Sequence, residues 1–360
     1  DSFLPFIWQV RATGKYRTRA VMIPRFKPWL NHREALALFR RNKGAVLRFE
    51  KSFAKTFEAE DAISFSYGRS ALWAFFKAVG IEGAEVVMPA YTCSVVAHAV
   101  SLSGNSPRFV DIRLSDYNMD LDLLPGAINV NTRAIVATHL FGYPLDLDRL
   151  EEIVAEAELR YGHKVWLIQD CAHSFGARWK GRLVCNSGDV AIFGLNISKM
   201  ITSIFGGMIT TRDQELAQKI RAWRNANFKK ALFIKGLLRR AYLLAVFIAF
   251  SKPIYSLTYW LQEKTPILNR LTKSYHLDDQ IHFPPDYLDQ LSEVEGAVGI
   301  EQLKKYPEIL SLRRSNASWL IKNICWPSNW KPPQVSDGPT YSHFVVRVPE
   351  RQVEVEKFAR

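Results

Sequence analysis

Apolar positions along this chain fall into short, near-continuous runs set between longer amphipathic stretches. Ala62-Ile-Ser-Phe-Ser66, Val86-Val-Met88, Arg108-Phe-Val-Asp-Ile112, Ala134-Ile-Val-Ala-Thr-His-Leu140 and Val165-Trp-Leu-Ile-Gln-Asp170 read as strands. Phe49–Phe57 and Ser70–Val79 read as helices, and Gly80 and Gly83 close the second and open the next turn. Pro89 is expected to stop the strand at Val86. Strands apolar on both faces, separated by helix-length segments, predict a mostly parallel sheet covered on both sides. In such sheets ligands bind beyond the carboxyl ends of the strands. Asp111, His139 and Asp170 fall at or near those ends.

Residues 228–285 break this rhythm. Ala241-Tyr-Leu-Leu-Ala-Val-Phe-Ile-Ala-Phe250 is ten apolar residues bounded by Arg240 and Lys252-Pro253. A membrane span needs about 20, so a helix pair is expected, packed on the body, in an oligomer interface, or in the plane of a membrane surface. After Pro284-Pro285 a helix is expected over Ser292–Leu303, and Tyr341-Ser-His-Phe-Val-Val-Arg-Val348 reads as a strand followed by a helix start. The predicted fold class is α/β. A large domain has a mostly parallel mixed sheet covered by helices on both faces, with a smaller α+β C-terminal domain. The expected boundaries are a basic arm at 1–34, the large domain at 35–227, the helical insertion at 228–285 and the C-terminal domain at 286–360, which stops short of full size.

Composition adds little except through where the charge lies. Apolar content of 48% and charged content of 23% are ordinary for a folded protein. Net charge is +13, and residues 1–30 and 228–253 together hold eleven of those charges. Both segments are also rich in Phe, Leu, Trp and Ile, which suits an anionic lipid surface through 228–261 better than nucleic acid. No nucleic-acid module accompanies the charge. Cys93, Cys171, Cys185 and Cys325 lack zinc-type spacing, so no metal is expected and the thiols read as reduced, in a cytoplasmic protein touching the inner membrane surface at most peripherally. The chain begins at Asp1 without a signal-peptide pattern, and a start further upstream is expected.

The candidate chemistry centres on Lys199, in Phe193-Gly-Leu-Asn196-Ile-Ser-Lys199, followed by Gly206-Gly207. Burial disfavours the charged form of a lysine, and a neutral amine is a nucleophile toward an aldehyde. Upstream stands Asp170-Cys-Ala-His173. A carboxylate there would keep a pyridine nitrogen protonated, and His173 would hold the ring. Tyr67-Gly68-Arg69-Ser70 opens a helix whose N–H groups suit a phosphate. Together these point to pyridoxal 5′-phosphate.

In this order the motifs resemble the DegT/StrS-type sugar aminotransferases, within the aspartate-aminotransferase fold. The resemblance runs from Val46-Leu-Arg-Phe-Glu50 to Arg224. It resumes at Leu291-Ser-Glu-Val-Glu-Gly-Ala-Val-Gly-Ile-Glu-Gln-Leu303 and at Arg313-Arg314. It implies a homodimer with active sites at the subunit interface and a Schiff base on Lys199. It also implies transfer of an amino group from an amino-acid donor, glutamate, to a keto-sugar nucleotide. Asp170 would meet the pyridine nitrogen, His173 the ring, and Gly68, Arg69 and Ser70 the phosphate, with Asn196 in the lysine's own loop. Four positions depart from the family pattern. Gly194 stands where a serine is common and Arg69 where a threonine is. Cys93 replaces a stacking aromatic, with Tyr91 two residues away, and Gln290 replaces a cross-subunit asparagine. A dehydrating branch carries histidine in place of the lysine, and Lys199 argues against it. The alternatives are another reaction of the same cofactor on a lipid-linked or apolar substrate, and a non-catalytic sensor or scaffold.

Overall fold

The computed structural model describes residues 27–40, 42–251, 254–264, 281, 283–334 and 338–359. Most of the predicted basic arm, and residues 265–280 of the predicted insertion, lie outside the described residues. In chain order the strands are β1 (Asp61–Phe65), β2 (Glu85–Pro89), β3 (Ser106–Val110), β4 (Thr132–Thr138), β5 (Trp166–Asp170), β6 (Arg178–Trp179), β7 (Arg182–Leu183), β8 (Val190–Gly194) and β9 (Gly207–Thr211). The helices are α1 (His32–Phe39), α2 (Ala45–Thr56), α3 (Gly68–Val79), α4 (Ser94–Leu102), α5 (Leu124–Ala127) and α6 (Leu147–Tyr161), then α7 (Gln214–Asn227), α8 (Phe233–Ala249), α9 (Tyr255–Lys264), α10 (Glu293–Asn323) and α11 (Arg351–Ala359).

Seven strands form one sheet in the order β1-β9-β8-β5-β4-β2-β3, and β6 and β7 make a separate hairpin. From β8 to β3 all pairings are parallel, while β9 runs antiparallel between β8 and β1. Phe65 therefore pairs with Gly207, and Gly207 with Gly194, at the same edge where β5 ends in Asp170. The expected mixed, mostly parallel sheet is borne out.

Alternation along the strands sends side chains into separate cores. Val190 and Ile192 of β8 join Ile63, Phe65, Val86, Met88, Ile168 and Ile209 under α3 and α7. Ala191 and Phe193 face the other way, into an aromatic core against α2 and α10. There Phe193 lies 5.0 Å from Phe53, 5.2 Å from Phe57 and 5.1 Å from Phe175. Farther along that face, Val87, Ile135, Ala137 and Leu167 pack with α5 and α6. Helix starts follow capping rules: Asn31 with Glu34, and Ser292 with Glu295, form capping boxes, and Asp146 and Asp213 cap α6 and α7.

A buried ion network ties α2 and α7 to β1. Glu50 accepts hydrogen bonds from Arg221 (2.6 Å), Arg224 (2.6 Å), the Ser64 N–H (2.9 Å) and the Ser64 hydroxyl (2.7 Å). Burial raises the Glu50 pKa, but the two guanidiniums and the hydrogen bonds outweigh it and hold the carboxyl below its ordinary value.

Two expectations are corrected. Residues 341–348 form no strand; only an isolated bridge joins Arg347 to Lys331. Tyr341 takes a left-handed backbone (φ 48°), and Arg313 donates to the carbonyls of Tyr341 and Ser342, so this backbone is satisfied by a side chain rather than by a ladder. The helix expected over Ser292–Leu303 runs on to Asn323, and Pro307 is carried inside it. Packing divides the chain into two units, Pro28–Leu243 with Tyr275–Arg360, and Asp1–Lys27 with Leu244–Ser274. Among the described residues no helix is long and apolar enough to cross a membrane.

Candidate active site

The carboxyl edge of the sheet gathers the predicted chemistry. β5 ends in Asp170, which is almost fully buried. Its Oδ1 accepts from the Ala172 N–H at 3.1 Å and its Oδ2 from the Thr138 hydroxyl at 3.2 Å, across the β4–β5 pairing. Burial raises its pKa; the Ala172 N–H, Lys199 and Thr138 pull the other way without cancelling the rise. Lys199 follows β8. Burial lowers its amine from the ordinary lysine value, against the opposing pull of Asp170 and Cys93. Its residue surface is only partly covered, so the depression belongs to the buried amine rather than to the whole side chain. Asp170 and Lys199 thus interact electrostatically, and burial pushes each toward its neutral form.

The lysine's loop is tightly held. Leu195 N–H donates to Gly206 O (2.9 Å) and Lys199 N–H to Asn196 O (3.0 Å). Asn196 Oδ1 accepts from the Ser198 N–H (3.1 Å) and hydroxyl (2.7 Å), so its side-chain oxygen serves the turn. A Cβ placed on Gly194 would stand 3.5 Å from Lys199 Cε and 3.7 Å from Ala172 Cβ.

Next to this loop, α3 begins. Tyr67 is its N-cap and offers no side-chain cap, so the first N–H groups of the helix keep their capacity for an external acceptor. Ser70 is fully buried, and among the described residues its hydroxyl has no hydrogen-bond partner. Gly68 fits against Gly194, because a Cβ there would meet Gly194 Cα at 3.2 Å. Gly207 approaches closer still: a Cβ would lie 2.4 Å from the Tyr67 carbonyl. Arg69 leans over the Tyr67 ring (5.6 Å) and faces His98, whose pKa is lowered by burial and then by Arg69.

His173 sits at the rim. Its Nδ1 accepts from the Phe141 N–H at 3.3 Å, Phe141 stacks beside it (6.1 Å, 17°), and His343 lies 5.0 Å away. Burial, then Lys199, then His343 push its pKa down to about 2, so it is a neutral ring. Tyr91 and Tyr117 meet Phe141 edge-on. Cys93 is exposed as the N-cap of α4, with Lys199 in its field.

Gln290 is placed elsewhere. Its N–H donates to Lys229 O (2.7 Å), its Nε2 to Phe228 O (3.3 Å), and its carbonyl accepts from Lys235 (3.2 Å). His139, flagged at a strand end, is structural: fully buried, it donates from Nε2 to Gln169 (2.8 Å) and accepts the Leu145 N–H at Nδ1 (3.0 Å). Asp111 is exposed and its Oδ1 accepts from the next residue's N–H. Sequence reading missed Thr138, Phe141, Tyr117 and His343. Thr138 stood beside the flagged His139, whereas Phe141 and His343 meet only through the fold.

The residues present fit pyridoxal phosphate. An uncapped helix start and an orphaned buried Ser70 hydroxyl suit its phosphate, a buried carboxylate suits its ring nitrogen, and a buried amine suits its aldehyde.

Solved structures share the architecture, which defines the chain's class by its fold. The sugar aminotransferase CalS13 from Micromonospora echinospora superposes with a TM-score of 0.71 at 21% identity, over 94% of this chain and 84% of that one. The Escherichia coli GDP-4-keto-6-deoxy-D-mannose-3-dehydratase with bound hydrated PLP gives 0.71 at 22%, over 94% and 83%. Within that class, the chain belongs to the DegT/DnrJ/EryC1/StrS aminotransferase family, whose profile matches residues 38–237. The GDP-perosamine synthase of Escherichia coli O157:H7 is 33% identical over 172 residues, 48% of this chain and 46% of the relative. That of Caulobacter vibrioides is 35% identical over 180 residues, 50% and 47%. The GDP-4-keto-6-deoxy-D-mannose 3-dehydratase of Yersinia pseudotuberculosis is 28% identical over 285 residues, 76% and 63%. The matches to the two synthases span about half the length of those curated relatives.

Proposed function

We propose that this protein is a pyridoxal-phosphate-dependent aminotransferase that moves an amino group from an amino-acid donor, glutamate, to a keto-sugar carried on a nucleotide. The observation that carries the reading is the buried Lys199–Asp170 pair at the ends of β8 and β5. When bound, the cofactor supplies an aldehyde and a ring that takes up electrons from the carbon losing its proton. Lys199, held toward its neutral form, would hold the cofactor through its amine and would move the proton at the donor's α-carbon. Asp170, fixed by Thr138 and the Ala172 N–H, keeps the proton on the pyridine nitrogen. The start of α3 and the Ser70 hydroxyl would hold the phosphate. His173 presents a neutral face, because burial, then Lys199 and His343, disfavour its charged form. Tyr91, Tyr117 and Phe141 supply an aromatic rim against which a nucleotide sugar stacks. A homodimer whose subunits complete each other's sites is part of the same reading.

Relatives named as sugar transaminases favour this substrate class, and the amine at position 199 favours transfer over dehydration. The test is a half-reaction. Purified protein loaded with pyridoxal phosphate is mixed with 15N-glutamate, freed of the amino acid, and given a keto-sugar nucleotide. Transfer of 15N to the sugar supports the proposal; release of 2-oxoglutarate without any aminated sugar refutes the substrate class.

A further inference from the structure

Two backbone turns frame the start of α3, and one side chain of α8 reaches both. Tyr67, the N-cap of α3, forms an isolated bridge with Gly206, so Ser66–Tyr67 and Phe205–Gly206 run side by side. Arg239 donates from Nη2 to Asp286 (2.6 Å) and to the Tyr67 hydroxyl (3.3 Å). Its guanidinium also lies over the Phe205 ring, 4.3 Å from the centroid. The Tyr67 hydroxyl donates in turn to Asp286 (2.7 Å), and the Tyr67 and Phe205 rings meet edge-on at 5.9 Å. One helical turn earlier, Lys235 donates to the Ser66 hydroxyl (2.7 Å) and to Gln290 O (3.2 Å). One turn later, Tyr242 packs on Phe205 at 4.9 Å. Residues 235, 239 and 242 share one helix face by their spacing, and all three lie within the Pro28–Leu243 unit.

We propose that Arg239 is a positioning residue for the cofactor's phosphate, fixing the start of α3 through Tyr67 and Phe205. This rests on the reading of that helix start as the phosphate site. The donors it aligns are the first N–H groups of α3, which have no side-chain cap, and the buried Ser70 hydroxyl. Attraction of an anion by the network itself is ruled out by its charge. Lys235 and Arg239 face Asp286, Asp289 and Glu295 at 2.6 to 3.8 Å, so the set carries no net positive charge. What it supplies is fixed geometry, because Lys235 and Glu295 are buried and the Arg239 side chain is only 13% exposed, where salt screens little. Tyr67 is thereby held twice. A Cβ on Gly207 would lie 2.4 Å from its carbonyl, so β9 bounds its backbone, while α8 and Asp286 hold its side chain. Small displacements of donors around a charged group lose much of its binding, so support of this kind bears directly on affinity.

The experiment measures binding of three probes to the full chain: pyridoxal 5′-phosphate, pyridoxal, which lacks the phosphate, and inorganic phosphate. It compares wild type with Arg239→Gln and Tyr67→Phe. Absorbance titrations give the first two affinities, and the rise in melting temperature with added phosphate reports the third. Wild type is expected to prefer pyridoxal phosphate to pyridoxal. Arg239→Gln should lose roughly tenfold or more in affinity for pyridoxal phosphate while its affinity for pyridoxal stays within about twofold. Inorganic phosphate should then protect it less from melting. Tyr67→Phe removes a single oxygen and should narrow the same preference by a smaller factor, which keeps the test decisive if Arg239→Gln does not fold. The proposal is overturned if the folded variants keep the wild-type preference. It is overturned equally if they lose both affinities by the same factor, as general loosening would produce. Either result leaves the phosphate site at the start of α3 standing. A wild type that binds pyridoxal phosphate no better than pyridoxal overturns that site, and the role of Arg239 with it.

Discussion

Gly207→Ala probes the geometry on which the proposed site depends. The added Cβ would stand 2.4 Å from the carbonyl carbon and oxygen of Tyr67 and 2.5 Å from Gly68 N. Ordinary contact begins near 3.4 Å, so about 1 Å of separation must be found between backbone segments. β9 cannot yield freely, because Gly207 pairs with both Phe65 and Gly194. The Tyr67–Gly68 turn must move instead, and with it the start of α3 and Ser70. Overpacking of this kind costs about 1–3 kcal/mol, which reads as a melting temperature lower by several degrees. The functional cost is larger, since a misplacement of about 1 Å can cost roughly 100-fold in rate. The assay is pyridoxal-phosphate titration and glutamate half-reaction rate, alongside the melt. Gly194→Ala is the control: its Cβ would meet Lys199 Cε at 3.5 Å and Ala172 Cβ at 3.7 Å, ordinary contacts, so its melt stays near wild type. If Gly207→Ala keeps cofactor affinity and rate within twofold of wild type, the close approach at Gly207 is not what positions the phosphate turn.

Two further predictions concern buried titratable groups. Glu50→Gln leaves Arg224 buried without its counter-charge and costs about 3–5 kcal/mol in denaturant unfolding; a loss below 1 kcal/mol contradicts the network. Because the folded Glu50 carboxyl lies below its ordinary 4.5, its contribution is complete above that pH and is lost as pH falls through the folded value. His139 runs from an ordinary 6.5 down to about 4 through burial, partly offset by its bond to Gln169. Between those values the unfolded chain binds a proton that the folded chain refuses, so stability falls as pH drops from 6.5 to 4. The total from this group is up to about 3 kcal/mol. Unfolding at pH 7 and pH 5 checks it, and His139→Gln should flatten the slope; an unchanged slope rejects the assignment.

Most of the sheet was legible because its strands are buried on both faces and so read as unbroken apolar runs. Lys199 and Asp170 were legible for a related reason, since charged residues at the ends of such runs need a use. The segment 341–348 misled because its alternation is genuine while its partners are the Arg313 side chain and the Gly142 backbone, which no local pattern records. Phe141 and His343 were hidden for the same cause, being 202 residues apart and brought to within 5.5 Å only by the fold. The basic cluster at 228–253 was read as surface charge. Lys235 and Arg239 instead face Asp286 and Glu295, a pairing across about fifty residues that charge counting cannot see.

The central claim is that Lys199 carries the cofactor. Protein reconstituted with pyridoxal phosphate, reduced with borohydride and digested, should yield one peptide bearing the pyridoxyl mass on Lys199. Lys199→Arg should give none while melting like wild type. A label on another lysine, or equal labelling of the Lys199→Arg variant, would contradict the account.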